Sequence, residues 1–166
     1  MPFAVTHVIG AILLIDLFRI HVLKKQNFPL YLVLIGGIAG LLPDLDIPIF
    51  WILQTFFNVT INEVHKLYSH NLIIPFVILL LALASWKWKK VSHIFLVVAA
   101  GYTIHVILDT IFYIAPLFYP FSNAMLGLNL LQYIPIADTF YMGMDAIVLV
   151  IWLAYEWKYK KIRDYV

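Results

Sequence analysis

Apolar runs long enough to cross a lipid bilayer occupy most of this sequence, and they constrain its fold more than any other feature. Of the 166 residues, 64% are hydrophobic and 12% are charged, and the mean hydropathy is +0.95. A soluble domain is usually about half apolar and about a quarter charged. The chain is therefore predicted to form a single integral membrane domain over residues 1–166, built from helices because lipid offers the backbone no hydrogen-bonding partners.

The apolar runs predict an all-α, polytopic membrane helical bundle of about five spans. The helices are expected at residues 3–23, 28–57, 71–86, 93–115 and 140–157, and residues 117–137 are expected to form a loop. The second span is broken by Pro43, Asp44, Asp46 and Pro48. Irregular backbone at membrane depth is tolerated only where it lines a cavity, so this break is predicted to face the protein interior.

The basic residues predict the orientation in the cell membrane. On a five-span path, ten of the eleven lysines and arginines fall on one side of the bilayer, and only Lys66 falls on the other. Basic residues concentrate on the cytoplasmic side. The N-terminus is therefore expected outside and the C-terminus in the cytoplasm.

Histidine and aspartate side chains from four apolar segments are expected at one depth. Measured along the helices from the basic clusters, most of them lie about 22 to 28 Å away, near the outer edge of a hydrocarbon core about 30 Å thick. The candidate metal ligands of this layer are His7, Asp44, Asp46, His65, His70, His105 and Asp109. Buried carboxylates need a compensating charge, which metal ions would supply.

The local spacings agree with metal binding. His105 and Asp109 are four residues apart, so they share one helix face. His65 and His70 would point about 140° apart on one helix, which predicts a turn between them with His70 opening the third span. The chain has no cysteine, and nitrogen and oxygen ligands suit zinc, manganese or iron. Seven ligands exceed the needs of one ion and favour two divalent ions, zinc above all, bridged by a carboxylate.

Each of these features alone has a simpler structural explanation. Asp44 follows Pro43 and could only cap a turn, and His105 with Asp109 could form a neutral buried pair. A single histidine near a membrane interface is usually a hydrogen-bonded structural group. The convergence of all of them at one depth favours the metal site.

At these positions the chain resembles the YdjM-like family of predicted membrane-bound metal-dependent hydrolases. The matching elements are His7, "LLPDLDIP" (41–48), "HKLYSHNL" (65–72), "GYTIHVILD" (101–109) and "FYPFS" (118–122). Ile47 stands where the family pattern has a histidine, and Lys66 where it has an arginine. The family is distantly similar to the zinc-dependent phospholipase C and single-strand nuclease group, which implies hydrolysis of a phosphoester.

The resemblance and the depth of the layer together predict metal-assisted hydrolysis of a lipid or lipid-linked phosphate near the outer leaflet. Asp44 or Asp46 would hold the metals and orient the attacking water, and Lys66 would bind the phosphate as a point charge. Tyr68 and Ser69 would hydrogen-bond the substrate or support the ligands. The expected partner is membrane lipid and not nucleic acid.

Asp145 lies within the fifth predicted span, with no basic residue three or four positions away. Isolated in lipid, its carboxylate would be costly, so it is predicted to face the bundle interior. It would support a ligand such as His105 by a hydrogen bond, act as a further ligand, or make a purely structural hydrogen bond.

Two other functions use the same residues. A metal-ion transporter would need polar side chains at several depths along a path, and only Asp16 and His21 lie deep on the cytoplasmic side. A scaffold in which metal only joins the helices would have a closed coordination sphere and no activity.

Overall fold

The chain folds into an all-helical bundle, as predicted. The computed structural model describes residues 4–24, 28–65, 68–133 and 138–159. The helices in these ranges are α1 (Ala4–His21), α2 (Leu30–Ala39), α3 (Asp46–Phe56), α4 (Ile61–Val64), α5 (Ile73–Ala84), α6 (Lys89–Phe112) and α7 (Asp138–Tyr159).

The break predicted in the second span is confirmed. A 3₁₀ turn, Pro43–Leu45, separates α2 from α3, and the two helices bend by 44° at this point. Asp44 lies in the turn and Asp46 opens α3. Pro48 falls in the first turn of α3, where the backbone donor that proline lacks would have no helical partner.

The prediction of about five spans is not supported. Among the described residues, α1 and α6 are long and apolar enough to cross a membrane, and the bent pair α2–α3 counts as a third span if it is taken as one. Helix α5 has 12 residues, about 18 Å, and does not match a hydrocarbon core of about 30 Å. The apolar run at 71–86 predicted a longer helix, but its first residues form turns around His70.

Helix α6 is the central element, and α1, α2 and α5 all pack against it. Its contact with α2 is a backbone contact. A methyl group placed at Gly101 would lie 2.0 Å from the carbonyl oxygen of Gly36. Glycine at both positions lets the two helices approach closely, which brings the C-terminal end of α2 and the turn that carries Asp44 beside α6.

An apolar core holds these helices together away from the polar layer. Ile12 and Ile15 from α1, Leu32 and Val33 from α2 and Val97 from α6 are buried in one cluster. Trp152 packs against this cluster from α7. These contacts fix the spacing of α1, α2 and α6 at this level of the bundle.

Gly101→Ala is expected to destabilise the protein strongly, because the new methyl group would meet backbone that has no rotamer to change. Overpacking of this kind costs about 1–3 kcal/mol or more. Gly143→Ala is the matched control, since no described atom lies within 4 Å of the added methyl group and alanine favours a helix by about 1 kcal/mol. Thermal unfolding in detergent should show a lower Tm for the first variant and an equal or higher Tm for the second.

Candidate metal centre

Five of the predicted ligands meet in one buried cluster. Helix α6 supplies His105 and Asp109, α1 supplies His7, the 3₁₀ turn supplies Asp44, and the turn before α5 supplies His70. His7 Nε2 lies 3.2 Å from Asp109 Oδ1, and His70 Nε2 lies 3.2 Å from Asp109 Oδ2. Side chains from four separate segments of the chain therefore come together around the Asp109 carboxylate.

The orientation of His105 is set by a backbone carbonyl. Its Nδ1 donates a hydrogen bond of 2.6 Å to the carbonyl oxygen of Gly40, just beyond α2. A neutral imidazole has one protonated nitrogen, so this bond leaves an electron pair on Nε2 of His105. Metal-binding histidines are commonly fixed in this way by a bond from the other ring nitrogen.

His70 is fixed by a relay through Ser69. The Ser69 hydroxyl donates to Asp46 Oδ2 at 2.5 Å and lies 2.8 Å from His70 Nδ1. A hydroxyl that donates to Asp46 must accept from His70, so Nδ1 carries a proton, and a neutral His70 has its electron pair on Nε2. Tyr102 of α6 donates to the carbonyl oxygen of Ser69 at 2.5 Å and holds the turn in place.

The Nε2 atoms of His70 and His105 lie close to each other and to carboxylate oxygens. They lie 3.2 Å apart, and both contact Asp44 Oδ1, at 3.5 Å from His70 and 3.7 Å from His105. Asp44 Oδ1 is buried and accepts no hydrogen bond from the described residues. Two electron pairs and two carboxylates at such distances fit a shared cation, because otherwise they repel one another.

The ligand atoms divide into two adjoining groups, each of which could hold one ion. The first consists of His7, His105 and Asp109, and the second of Asp44, His65 and His70. Within each group the ligand atoms lie within 4.8 Å of one another. Two neighbouring groups of three agree with the expectation of two ions.

Asp46 lies beside these groups as a hydrogen-bonding partner of two histidines. Its Oδ1 is 2.8 Å from His65 Nδ1, and its Oδ2 accepts the bond from Ser69 that orients His70. One carboxylate therefore orients His65 directly and His70 through a hydroxyl. This arrangement was not expected from the sequence, which assigned Asp46 to the metals themselves.

The cluster is closed on most sides and more accessible on one. The side chains of His70 and His105 are 0% exposed, and those of Asp44 and His65 are 16% and 12% exposed. His7 and Asp109 are buried as well. The cluster is thus most accessible from the side of Asp44 and His65.

The remaining predicted residues are Tyr68, Lys66 and Asp145. Tyr68 is exposed, and its ring packs edge-on against Tyr119. Lys66 lies outside the described residues. Asp145 accepts hydrogen bonds from the backbone of Val5 and Thr6 and from the Thr6 hydroxyl, at 3.3, 3.0 and 2.7 Å. It therefore holds the N-terminal end of α1, directly before His7, as a capping carboxylate supplied by another helix.

Sequence reasoning missed three residues that support the cluster. Gly40 acts through its carbonyl group, which no side-chain pattern reveals. Tyr102 shares the face of His105 and Asp109 at three- and seven-residue spacing, a signal that was available. Asn71 caps α5 by accepting from the backbone of Ile73 and Ile74, at 3.0 and 3.2 Å, and its place before an apolar run is typical of such caps.

An all-helical bundle with membrane-length apolar helices and a buried histidine–aspartate cluster defines a membrane protein with a candidate metal centre. The chain belongs to the YdjM inner membrane protein family, whose profile matches residues 1–163. Comparisons with curated proteins and with solved structures gave no match.

Ser69→Ala should weaken metal binding by about 10- to 100-fold, the usual effect of losing a hydrogen-bonding partner of a ligand. The variant removes the hydroxyl that joins Asp46 to His70, so the His70 ring is oriented by fewer hydrogen bonds. Ser122→Ala, in the turn after α6, is the control and should bind metal as the unchanged protein does. Zinc titration monitored by calorimetry measures the affinity of both variants. Equal affinities would show that the Ser69 hydroxyl does not support metal binding through His70.

Proposed function

We propose that this protein is a membrane-embedded metal-dependent hydrolase that cleaves a phosphoester of a lipid or lipid-linked substrate. One observation carries the proposal: the Nε2 electron pairs of His70 and His105 and the carboxylates of Asp44 and Asp109 converge within 3.2–3.7 Å. A ligand set of nitrogen and oxygen suits zinc, and manganese or iron less closely.

The roles of the residues follow from their positions. His7, His105 and Asp109 would hold one ion, and Asp44, His65 and His70 a second. Asp46 and Ser69 are positioning residues, since they act on His65 and His70. Asp44 is the carboxylate of the second group and is partly accessible. It would therefore also orient the attacking water and accept its proton.

Divalent ions bound here would supply a Lewis acid for the phosphoryl group and a water of lowered pKa. The chain itself excludes bulk solvent, since most ligands are buried, and it fixes both Nε2 atoms before the substrate arrives. Preorganised ligands of this kind reduce the reorganisation that the reaction requires. Lys66, which follows His65 in the sequence, would bind the phosphate as a point charge.

A metal-joined scaffold is the second candidate, and the burial of His70, His105 and Asp109 favours it. Closed sites are typical of structural metals, whereas catalytic sites keep an open position. The greater exposure of Asp44 and His65 supports the hydrolase. Transport receives less support, because Asp16 at the other end of α1 is bonded to Arg19 at 2.7 Å and does not extend the cluster into a path.

Asp109→Ala should abolish both metal content and hydrolysis. Asp109 contacts His7 and His70, so its loss opens both groups, and affinity should fall more than the roughly 100-fold seen for supporting residues. His93→Gln, outside the cluster, is the control and should retain both properties. Elemental analysis of the purified protein and phosphate release from phosphatidate measure the two effects.

The outcomes separate the candidates. Full metal occupancy in Asp109→Ala would show that this cluster is not the metal site. Bound metal with no hydrolysis of any lipid phosphate by the unchanged protein would favour the scaffold.

The proposed orientation places the cluster toward the outer side of the membrane. The chain lacks cysteine, so a single introduced cysteine provides the thiol that reports the orientation. In intact cells, Asn123→Cys should react with an impermeant maleimide and Lys87→Cys should react only after lysis, because basic residues favour the cytoplasm. The reverse pattern would place the cluster on the cytoplasmic side.

A further inference from the structure

An apolar groove runs along the bundle between α1 and α5. Both helices pack on α6, and the groove lies where α6 is left uncovered between them. Its volume is about 590 Å³, within the range of small-molecule sites, about 300–1,000 Å³. The floor is formed by Ala99, Ala100 and Thr103 of α6, and the walls by Leu14 and Phe18 of α1 and Phe76 and Leu79 of α5.

Small residues on the floor and large residues on the walls give the groove its depth. Small residues at this spacing usually let a second helix approach. No helix among the described residues occupies this face of α6. The only side-chain hydroxyl on the floor, that of Thr103, donates to the Ala99 carbonyl at 2.8 Å, so the groove offers no unsatisfied polar group and suits a hydrocarbon.

The length of the groove matches the depth of one membrane leaflet. Its floor follows α6 from Leu96 to Ile104, a rise of about 12 Å, close to the thickness of one leaflet of a hydrocarbon core of about 30 Å.

One end of the groove lies at the level of the candidate metal centre, although no candidate ligand lines it. Leu72 lines this end and follows His70 by two residues, and Ile104 lines it immediately before His105. The opposite end is lined by Phe18 and Phe28, away from the cluster. A lipid whose tail lay in the groove would therefore have its polar end at the level of the ligands.

We propose that this groove binds one acyl chain of the lipid on which the metal centre acts. The inference rests on the proposed function for the identity of the lipid as substrate, and it makes that substrate an acylated phosphate. Transfer of a chain from bilayer to groove gains no hydrophobic free energy, because both are apolar. Close packing against α6 is what selects the chain, so added bulk on the floor should exclude it.

The first test detects binding without catalysis. The protein is reconstituted in vesicles of phosphatidylethanolamine and phosphatidylglycerol containing a phosphatidate with a diazirine at the middle of one acyl chain. After photolysis, labelled residues are mapped by mass spectrometry. Labels should concentrate on groove residues such as Leu79, and Ala100→Phe should reduce them by roughly tenfold, as pocket-filling changes do. Ala84→Phe, the same change on the exposed side of α5, should not.

Equal labelling of Leu79 and of the exposed Leu83, or labelling unchanged by Ala100→Phe, would show bulk lipid and overturn the proposal. Protection of the groove in a dimer would also overturn it, with a second copy as the occupant. If Ala100→Phe does not fold, as judged by size-exclusion chromatography, Leu79→Trp narrows the groove from the other wall and is expected to give the same loss.

The second test separates this proposal from the proposed function. Ala100→Phe should lower kcat/KM for a long-chain phosphatidate by roughly tenfold relative to a short-chain one, and Ala84→Phe should change neither. Hydrolysis with no dependence on chain length or on Ala100 would contradict the proposed acyl-chain site. The proposed hydrolase activity would still stand. If no phosphoester is hydrolysed, the proposed function fails, and the labelling still decides whether the groove binds a chain.

Discussion

The burial of Asp44 and Asp109 among apolar helices is the constraint on which the rest of the structure depends. Carboxylates are costly away from water unless paired or bound to a cation. Here they are surrounded by imidazoles drawn from α1, α6 and the turn before α5, and the imidazoles are in turn held by Gly40 and Ser69. Most polar contacts near the cluster serve to hold these few side chains in one orientation.

That arrangement needs two helices in backbone contact. Gly36 and Gly101 bring α2 against α6, and only at this separation does the carbonyl of Gly40 reach His105. Asp145 adds a constraint from α7, since it anchors the start of α1 just before His7. The hydrogen bonds of Asp46, Ser69 and Tyr102 then orient His65, His70 and the turn before α5. The cluster thus depends on contacts spread over most of the bundle, although its ligands occupy a small volume.

The prediction of about five spans is unsupported for a physical reason. Apolar composition indicates that a segment avoids water, but it does not give the length of the helix. The run at 71–86 became a helix of 12 residues, because residues before Ile73 were needed to place His70 and to form the cap by Asn71. For Asp145 the sequence left three roles open, and the bonds from Val5 and Thr6 match the structural hydrogen bond among them.

The sequence by itself determined the membrane character, the all-helical class, the break at Pro43–Asp46 and the set of histidines and aspartates at one depth. These follow from composition and spacing along single segments, which the chain carries wherever it folds. Only the tertiary structure decided which ligands share a group, that Asp46 orients histidines, and that α1 and α5 leave a groove on α6. Such features depend on distances between segments far apart in the chain, and these are fixed by helix packing that no local pattern encodes.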